Sequence, residues 1–129
     1  MCELFIGANS ELWASKTRSL RIDGVATSVR MENFFWGVFE EIAARDHMTS
    51  NQVITKLWFE SMDADHDLGN FTSFLRVCCG RYLALMAEGE ISQNLADPLA
   101  NIDSSGVLAR ENLRHVQKRH TRMESARVR

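Results

Sequence analysis

The sequence of 129 residues contains little of what several protein classes require. It has three cysteines and one proline. Cys78 and Cys79 are adjacent and Cys2 lies near the N-terminus, which is not the spacing of a disulfide framework. No apolar run approaches the ~20 residues that cross a bilayer, and the first residues lack the basic segment and apolar core of a secretory signal. These absences predict a cytoplasmic protein that is not inserted in a membrane.

Catalytic and metal-binding motifs are also missing. The sequence has no glycine-rich phosphate loop, no His-Glu-x-x-His and no Ser/His/Asp set in a known context. Asp63, Asp65 and Asp67 are spaced like the first ligands of a calcium loop, but Leu68 and Phe74 replace the turn glycine and the bidentate glutamate. His66 has no partner at metal-site spacing. We therefore predict a solvated acidic loop, no metal, no cofactor and no enzymatic activity.

The net charge of −2 combines an acidic body with a basic C-terminus. Residues 1–90 carry 8 Lys/Arg and 13 Asp/Glu, a net −5, whereas residues 91–129 carry 7 and 4, a net +3. A protein with this average can still bind DNA if its positive charge is concentrated at the contact surface.

The stretch from Gly24 to Met62 has the clearest pattern. It begins with a strand whose alternate side chains differ in polarity, which is typical of a half-buried strand. One face carries Ala26, Ser28 and Arg30, and the other carries Val25, Thr27, Val29 and Met31. The period then becomes helical: Phe35, Val38, Phe39 and Ile42 form an apolar face, with Glu40, Glu41 and Arg45 expected in water. Trp36 is expected in the core or in a dimer interface.

A second helix follows a break at residues 46–48. Thr49 and Gln52 have the spacing of a capping box, and Val53, Ile54, Leu57 and Trp58 form the apolar face. A unit of roughly 40 residues buries too little surface to be stable alone, and a lone strand lacks a hydrogen-bonding partner. This favours a second copy, with the two strands paired antiparallel across a two-fold axis.

A third helix is predicted from Asn70, a suitable N-cap, to the region before Gly89. Its apolar stripe consists of Phe71, Phe74, Leu75, Cys78, Tyr82 and Leu85. Cys78 is expected in the core as a small apolar residue. Cys79 lies ~100° away around the helix and is expected to face elsewhere.

The first 24 residues allow two arrangements. Cys2–Ala8 is a weak strand candidate, and Asn9 or Ser10 could cap a short helical turn. Asp23-Gly24 is a favoured hairpin turn, so residues 16–22 could form a strand in which Ile22 faces Val25. Alternatively, the same residues could form an arm that lies along DNA phosphates.

The C-terminal part reads as a linker followed by a basic segment. Arg110, Arg114, Lys118 and Arg122 repeat every four residues, as in a basic helix or a tail that orders on a partner. The predicted organisation is therefore an N-terminal strap or arm (1–24), a core with the third helix (25–88), a linker (89–106) and a basic tail (107–129).

The order of these elements resembles the ribbon-helix-helix superfamily, to which the Arc and MetJ repressors belong. The segment from Thr17 to Leu85 is similar to a bacterial subgroup of ribbon-helix-helix domain proteins. The matching motifs are the opening MCELFIGA, the strand region TRSLRIDGVATSVR, the helix start Phe35-Trp36, EEIAARD (Glu40 to Asp46) and NFTSFLRVCC (Asn70 to Cys79). The resemblance implies a mainly α fold with a short β-ribbon, namely a ribbon-helix-helix dimer plus an extra third helix.

The resemblance also implies a function and its residues. The chain would be a homodimeric, sequence-specific transcriptional regulator, such as a repressor, whose paired strands enter the major groove. Base contacts would come from Ala26, Ser28 and Arg30, with Arg30 as the main reader. Phosphate contacts would come from Arg18 and Arg21 and from the helix start at Thr49, Ser50 and Asn51.

The small side chains of Ala26 and Ser28 leave an alternative. The chain could be a dimeric protein-interaction module, antitoxin-like or partner-binding, without specific DNA binding. The expected partners are therefore a second copy, in a dimer or a higher oligomer, double-stranded DNA, and a protein bound through the C-terminal tail.

Overall fold

The computed structural model describes residues 1–64 and 68–128. The helices are α1 (Cys2–Ile6), α2 (Asn33–Arg45), α3 (Ser50–Asp63), α4 (Phe71–Ala87) and α5 (Ser104–Val128), and the strands are β1 (Ser15–Ile22) and β2 (Val25–Glu32). Short 3₁₀ turns lie at Ser10–Leu12, Leu68–Asn70 and Leu99–Asn101. The chain divides into two compact units, residues 1–99 and the residues from Ala100 onwards. The predicted class, mainly α with a short β-ribbon and a further helix, is confirmed.

The two strands form an antiparallel hairpin within one chain. Ile22 faces Val25 and Leu20 faces Thr27, as predicted for the hairpin arrangement of residues 16–22. Asp23 and Gly24 have φ of 53° and 77°, the positive values that a tight two-residue hairpin turn requires and that Asp-Gly adopts at low cost. Because β1 pairs with β2 within one chain, β2 is not the partnerless strand that was predicted, and it does not need a second copy to supply its hydrogen-bonding partner.

The N-terminal residues differ from the prediction. Cys2–Ile6 is a single helical segment, not a strand, because a short apolar run does not by itself distinguish the two. Leu4, Phe5 and Ile6 are each at least two-thirds exposed. The predicted cap of the next turn is confirmed, since the Asn9 side chain accepts a hydrogen bond from the Glu11 amide at 3.0 Å.

The core of the first unit lies between the hairpin and helices α2, α3 and α4. Its buried members are Leu20, Ile22, Val29, Met31, Trp36, Phe39, Ile54, Phe71, Leu75 and Cys79. In α2 the buried face is turned by about one residue from the predicted one: Trp36, Phe39 and Ala43 are buried, whereas Phe35 is half-buried. The Trp36 indole N–H donates to the Lys16 carbonyl at 2.8 Å, so the ring is held under the hairpin as a core residue.

Arg45 is not in water as predicted but is 3% exposed. Its guanidinium donates to the carbonyls of Ser92, Asn94 and Asp97 at 2.9–3.1 Å and to the Tyr82 hydroxyl at 3.2 Å. A buried arginine is stable only when its donors are satisfied. The end of α2 therefore holds the segment that follows α4.

The predicted third helix is present, but its cysteines exchange roles. Cys79 is fully buried and Cys78 is half-buried. The Cys79 thiol lies 3.6 Å from the Phe35 carbonyl, and burial raises the pKa of that thiol to about 12. Phe71, Leu75, Tyr82 and Leu85 are buried as predicted, so the core face of α4 differs from the predicted stripe in burying Cys79 more than Cys78 and in leaving Phe74 exposed. Contact with α2 as well as hydrophobicity sets the rotation of the helix.

The second unit contains the long helix α5. Helix α5 spans 25 residues, so the basic-helix alternative for this region is the one observed. Among the described helices, none combines the length and apolar character needed to span a bilayer.

Candidate nucleic-acid interface

The outer face of the hairpin is polar and cationic. Cross-strand neighbours on this face are Thr17 and Arg30, Ser19 and Ser28, and Arg21 and Ala26. All six residues are exposed. Two arginines, three hydroxyls and one methyl group thus form a surface without a carboxylate, in a unit whose net charge is negative.

The inner face explains why this surface is presented outward. Leu20, Ile22, Val29 and Met31 are no more than 6% exposed and pack on the helices. Since strand side chains alternate between faces, burying these four forces their neighbours to the other side. The predicted base contacts Ala26, Ser28 and Arg30 therefore share one accessible face. Val25, predicted on the inner face, is 64% exposed beside the turn.

The two predicted arginine phosphate contacts lie on different sides of the hairpin. Arg21 is on the outer face, where its side chain donates to the Gly24 carbonyl at 3.3 Å. Arg18 is half-buried on the inner side, 4.4 Å from the centre of the Trp36 ring, and forms an ion pair with Glu40. The Arg18 guanidinium also donates to the Ser50 hydroxyl at 3.2 Å, so it lies beside the start of α3.

The start of α3 has the predicted capping box. The Thr49 hydroxyl accepts from the Gln52 amide at 3.2 Å, and the Gln52 side chain accepts from the Thr49 amide at 2.9 Å. These bonds satisfy two of the donors that a helix start leaves open. No hydrogen bond within the described residues uses the amides of Ser50 and Asn51. Two backbone donors and the Arg18 cation thus lie together at the positive end of the α3 dipole.

A shallow groove joins the hairpin to this helix start. It is lined by Leu20, Arg21, Asn51, Gln52, Thr55 and Lys56. The lining has two cations and no carboxylate. Lys56 was not among the predicted site residues, although its i, i+4 spacing from Gln52 places both on one helix face. Thr17 and Ser19 were not predicted either, although the two-residue period of β1 places them on the same face as Arg21.

Two carboxylates beside the ribbon are paired with arginines. Glu32, at the end of β2, accepts two hydrogen bonds from Arg76 at 2.9 and 3.1 Å, and these hold the pKa of Glu32 below its ordinary value. Glu40 is paired with Arg18. The paired carboxylates of Glu32 and Glu40 therefore repel a polyanion less than unpaired carboxylates would.

No group of three or more His, Cys, Asp or Glu side chains in residues 1–64 and 68–128 could hold a metal ion. Asp65, His66 and Asp67 lie outside the described residues. Tyr82, whose hydroxyl donates to Glu41 at 2.7 Å, has its pKa raised mainly by burial, and it forms part of the Arg45 cluster.

Comparison with known proteins identifies the family. The sequence model of the ribbon-helix-helix domain matches residues 15–83, which include the hairpin, α2, α3 and most of α4. The chain belongs to the ribbon-helix-helix family. The predicted resemblance is therefore confirmed.

A solved structure supports the same assignment for this ribbon-helix-helix protein. The chain is 50% identical to an uncharacterized protein from Bordetella pertussis Tohama I, with a TM-score of 0.79. The similarity covers 83% of this chain and 86% of that one. A search among curated proteins gives no match.

Proposed function

We propose that this chain is a DNA-binding transcriptional regulator that contacts DNA with the outer face of its hairpin. The observation that carries the proposal is the cluster of six exposed residues without a carboxylate, with Arg21 and Arg30 at its two ends. Ribbon-helix-helix domains are typically non-enzymatic and DNA-binding, which agrees with this surface. Regulation by repression in the bacterial cytoplasm, without cofactor or metal, completes the proposal.

The working form is proposed to be a homodimer in which the outer edge of β2 pairs with β2 of a second copy. In the described residues β2 has one neighbouring strand, so its other edge can template pairing with a further strand. The resulting sheet would have four strands, with its outer strands ~14 Å apart at a spacing of ~4.8 Å. The major groove is ≈12 Å wide. The two β2 strands would then lie in the groove and the β1 strands over its phosphate walls.

This geometry divides the outer face by role. Arg30 would contact a guanine edge in a bidentate manner, worth ~1–3 kcal/mol of discrimination. Ser28 would add a weaker base contact, and Ala26 could touch only a thymine methyl. Arg21, on β1, would contact phosphate, together with the hydroxyls of Thr17 and Ser19.

The start of α3 would provide a second phosphate contact. A phosphate placed there would accept hydrogen bonds from the amides of Ser50 and Asn51, the two residues that follow Thr49. It would also lie beside the Arg18 guanidinium. Lys56 lies on the groove that leads to this point. Basic side chains of residues 107–129, proposed as a tail beyond a linker at 89–106, would add charge-dependent affinity.

The test is selection of bound sequences from a random DNA pool with the full chain at two salt concentrations. A specific regulator is expected to enrich a repeat whose half-site spacing reports the dimer. Affinity should fall steeply with salt, since each neutralised phosphate contributes about −0.9 to the log–log slope.

Two arginines of the same face supply matched variants. Arg30→Ala should remove most of the sequence preference. Arg21→Ala should weaken binding to all sequences alike and reduce the salt slope by about 2, because the dimer carries two Arg21 side chains. If enrichment survives undiminished in Arg30→Ala, Arg30 is not the main reader of the bases.

The second proposed function is a dimeric protein-interaction module, antitoxin-like or partner-binding. The net charge of −5 over residues 1–90 and the small side chains of Ala26 and Ser28 favour it. Absence of DNA binding by the wild-type chain at low salt would replace the first proposal with this one. Binding without any enrichment would assign the contact to the basic C-terminal helix acting non-specifically.

A further inference from the structure

Three of the four large exposed apolar side chains in the described part of α5 follow one face of the helix, whereas Leu108, 47% exposed, lies off this face. Leu113, Val116 and Met123 are 58, 65 and 57% exposed. With Ala109 and His120 they form a series in which successive members, at positions 109, 113, 116, 120 and 123, are spaced by four, three, four and three residues. This is the alternation of a and d positions in a coiled-coil seam. We call residues 109, 113, 116, 120 and 123 the α5 seam.

The remainder of the helix surface has a different character. Arg110, Arg114, Lys118 and Arg122 lie away from the centre of this stripe, at 100° per residue. Apart from Leu108, the helix is therefore mainly apolar on one narrow stripe and mainly polar and basic outside it. A stripe of this width matches a partner helix better than a broad globular surface, which requires about three apolar positions in seven.

We propose that α5 pairs with α5 of a second copy of this chain as a short parallel coiled coil through the α5 seam. With Leu113 and His120 at a positions, Arg119 occupies a g position and Glu124 an e position. In a parallel pair each g residue faces the e residue five positions further along the partner. Arg119 thus meets Glu124 of the partner subunit, and the symmetry makes this contact twice.

Charge complementarity selects the parallel orientation over the antiparallel one. Antiparallel pairing with the α5 seam aligned would bring Glu124 near Arg110 of the partner subunit, but it would also place the two Arg119 side chains beside each other at the two-fold axis. The parallel pair has two ion pairs without this repulsion. Glu124 already contacts His120 Nε2 at 2.9 Å, which keeps the carboxylate beside the α5 seam. The polar His120 at an a position lowers stability and specifies register.

The pairing is weak by itself. The α5 seam rises about 21 Å over two heptads, and helices of ~12–15 residues are marginal in water. Pairing is therefore expected where a second copy is held nearby, which raises the effective concentration. It shares with the proposed function only the presence of that second copy, and its test uses no DNA.

The test is intermolecular disulfide formation in the full chain. In a Cys2→Ser background, Leu113→Cys and Met123→Cys introduce thiols on the α5 seam, and Lys118→Cys is the matched control on the outer side of the same helix. Equivalent seam positions face each other at a distance that a disulfide can bridge, whereas outer positions do not. Under mild oxidation, both seam variants are expected to cross-link at least tenfold faster than the control.

Equal rates in seam and control variants would overturn the pairing. Antiparallel pairing would leave identical cysteines of the two copies ~15 Å apart. The variants with Leu113→Cys or Met123→Cys alone would then cross-link slowly, and only the variant with both cysteines would cross-link quickly. That result would overturn the parallel orientation. Loss of sequence enrichment in the DNA selection would affect the proposed function and leave these rates unchanged.

Discussion

Replacement of Arg45 by methionine is expected to release the segment after α4 and to destabilise the chain. The guanidinium makes three bonds to the carbonyls of Ser92, Asn94 and Asp97 and one to the Tyr82 hydroxyl. Hydrogen bonds to charged groups contribute about 1.5–3 kcal/mol each. The three carbonyls belong to exposed residues, so in the variant water can replace some of the hydrogen bonds that Arg45 made to them. The expected loss of unfolding free energy is therefore about 3 kcal/mol.

The measurement is chemical denaturation of the full chain at fixed protein concentration, combined with amide hydrogen exchange. The amides of Ile91 and Asp97, which donate to Leu85 and Asn94 carbonyls, should exchange much faster in the variant. Arg30→Met is the control, since Arg30 is exposed and its loss should change stability by no more than about 0.5 kcal/mol. A loss below about 1 kcal/mol for Arg45→Met with unchanged exchange at residues 91 and 97 would refute the structural role of Arg45.

Three further outcomes follow from single contacts. Thr49→Ala should cost about 1 kcal/mol of unfolding free energy because the capping box is lost, whereas Thr49→Ser should retain it; equal denaturation midpoints would refute the cap. The pKa of Glu32 is lower in the folded chain than its ordinary value. The pair with Arg76 therefore stabilises the fold at pH values above the unfolded-state pKa of Glu32, and this stabilisation is lost as the pH falls through the folded-state pKa. Melting temperatures of Glu32→Gln should therefore decline less than wild type between roughly pH 5 and 3. A thiol reagent at roughly pH 8, near the ordinary thiol pKa, should modify the exposed Cys2 quickly. It should modify Cys79, whose pKa is raised to about 12, only when the chain unfolds. Labelling of Cys79 in the folded chain would contradict its burial.

The sequence by itself determined the features that depend on neighbouring residues. Asp23-Gly24 specifies a two-residue turn because both residues tolerate positive φ, and that turn sets the register of the hairpin. Thr49 and Gln52 specify the start of α3 because their side chains satisfy local backbone donors. Strand alternation likewise placed Ser28 and Arg30 on one exposed face, since the period of a strand is two.

Tertiary structure decided what depends on distant partners. Arg45 looks solvent-directed in sequence, and only carbonyls about 50 positions further along the chain make its burial tolerable. The choice of Cys79 over Cys78 as the core thiol depends on the rotation of α4 against α2, which the hydrophobic pattern does not fix for two adjacent cysteines. The sequence near Arg18 shows no partner for its charge, but in the fold Glu40 and the Trp36 ring hold its guanidinium beside the start of α3. Local hydrogen bonding and periodicity are encoded within a few residues, whereas burial of charge and helix rotation depend on the whole core.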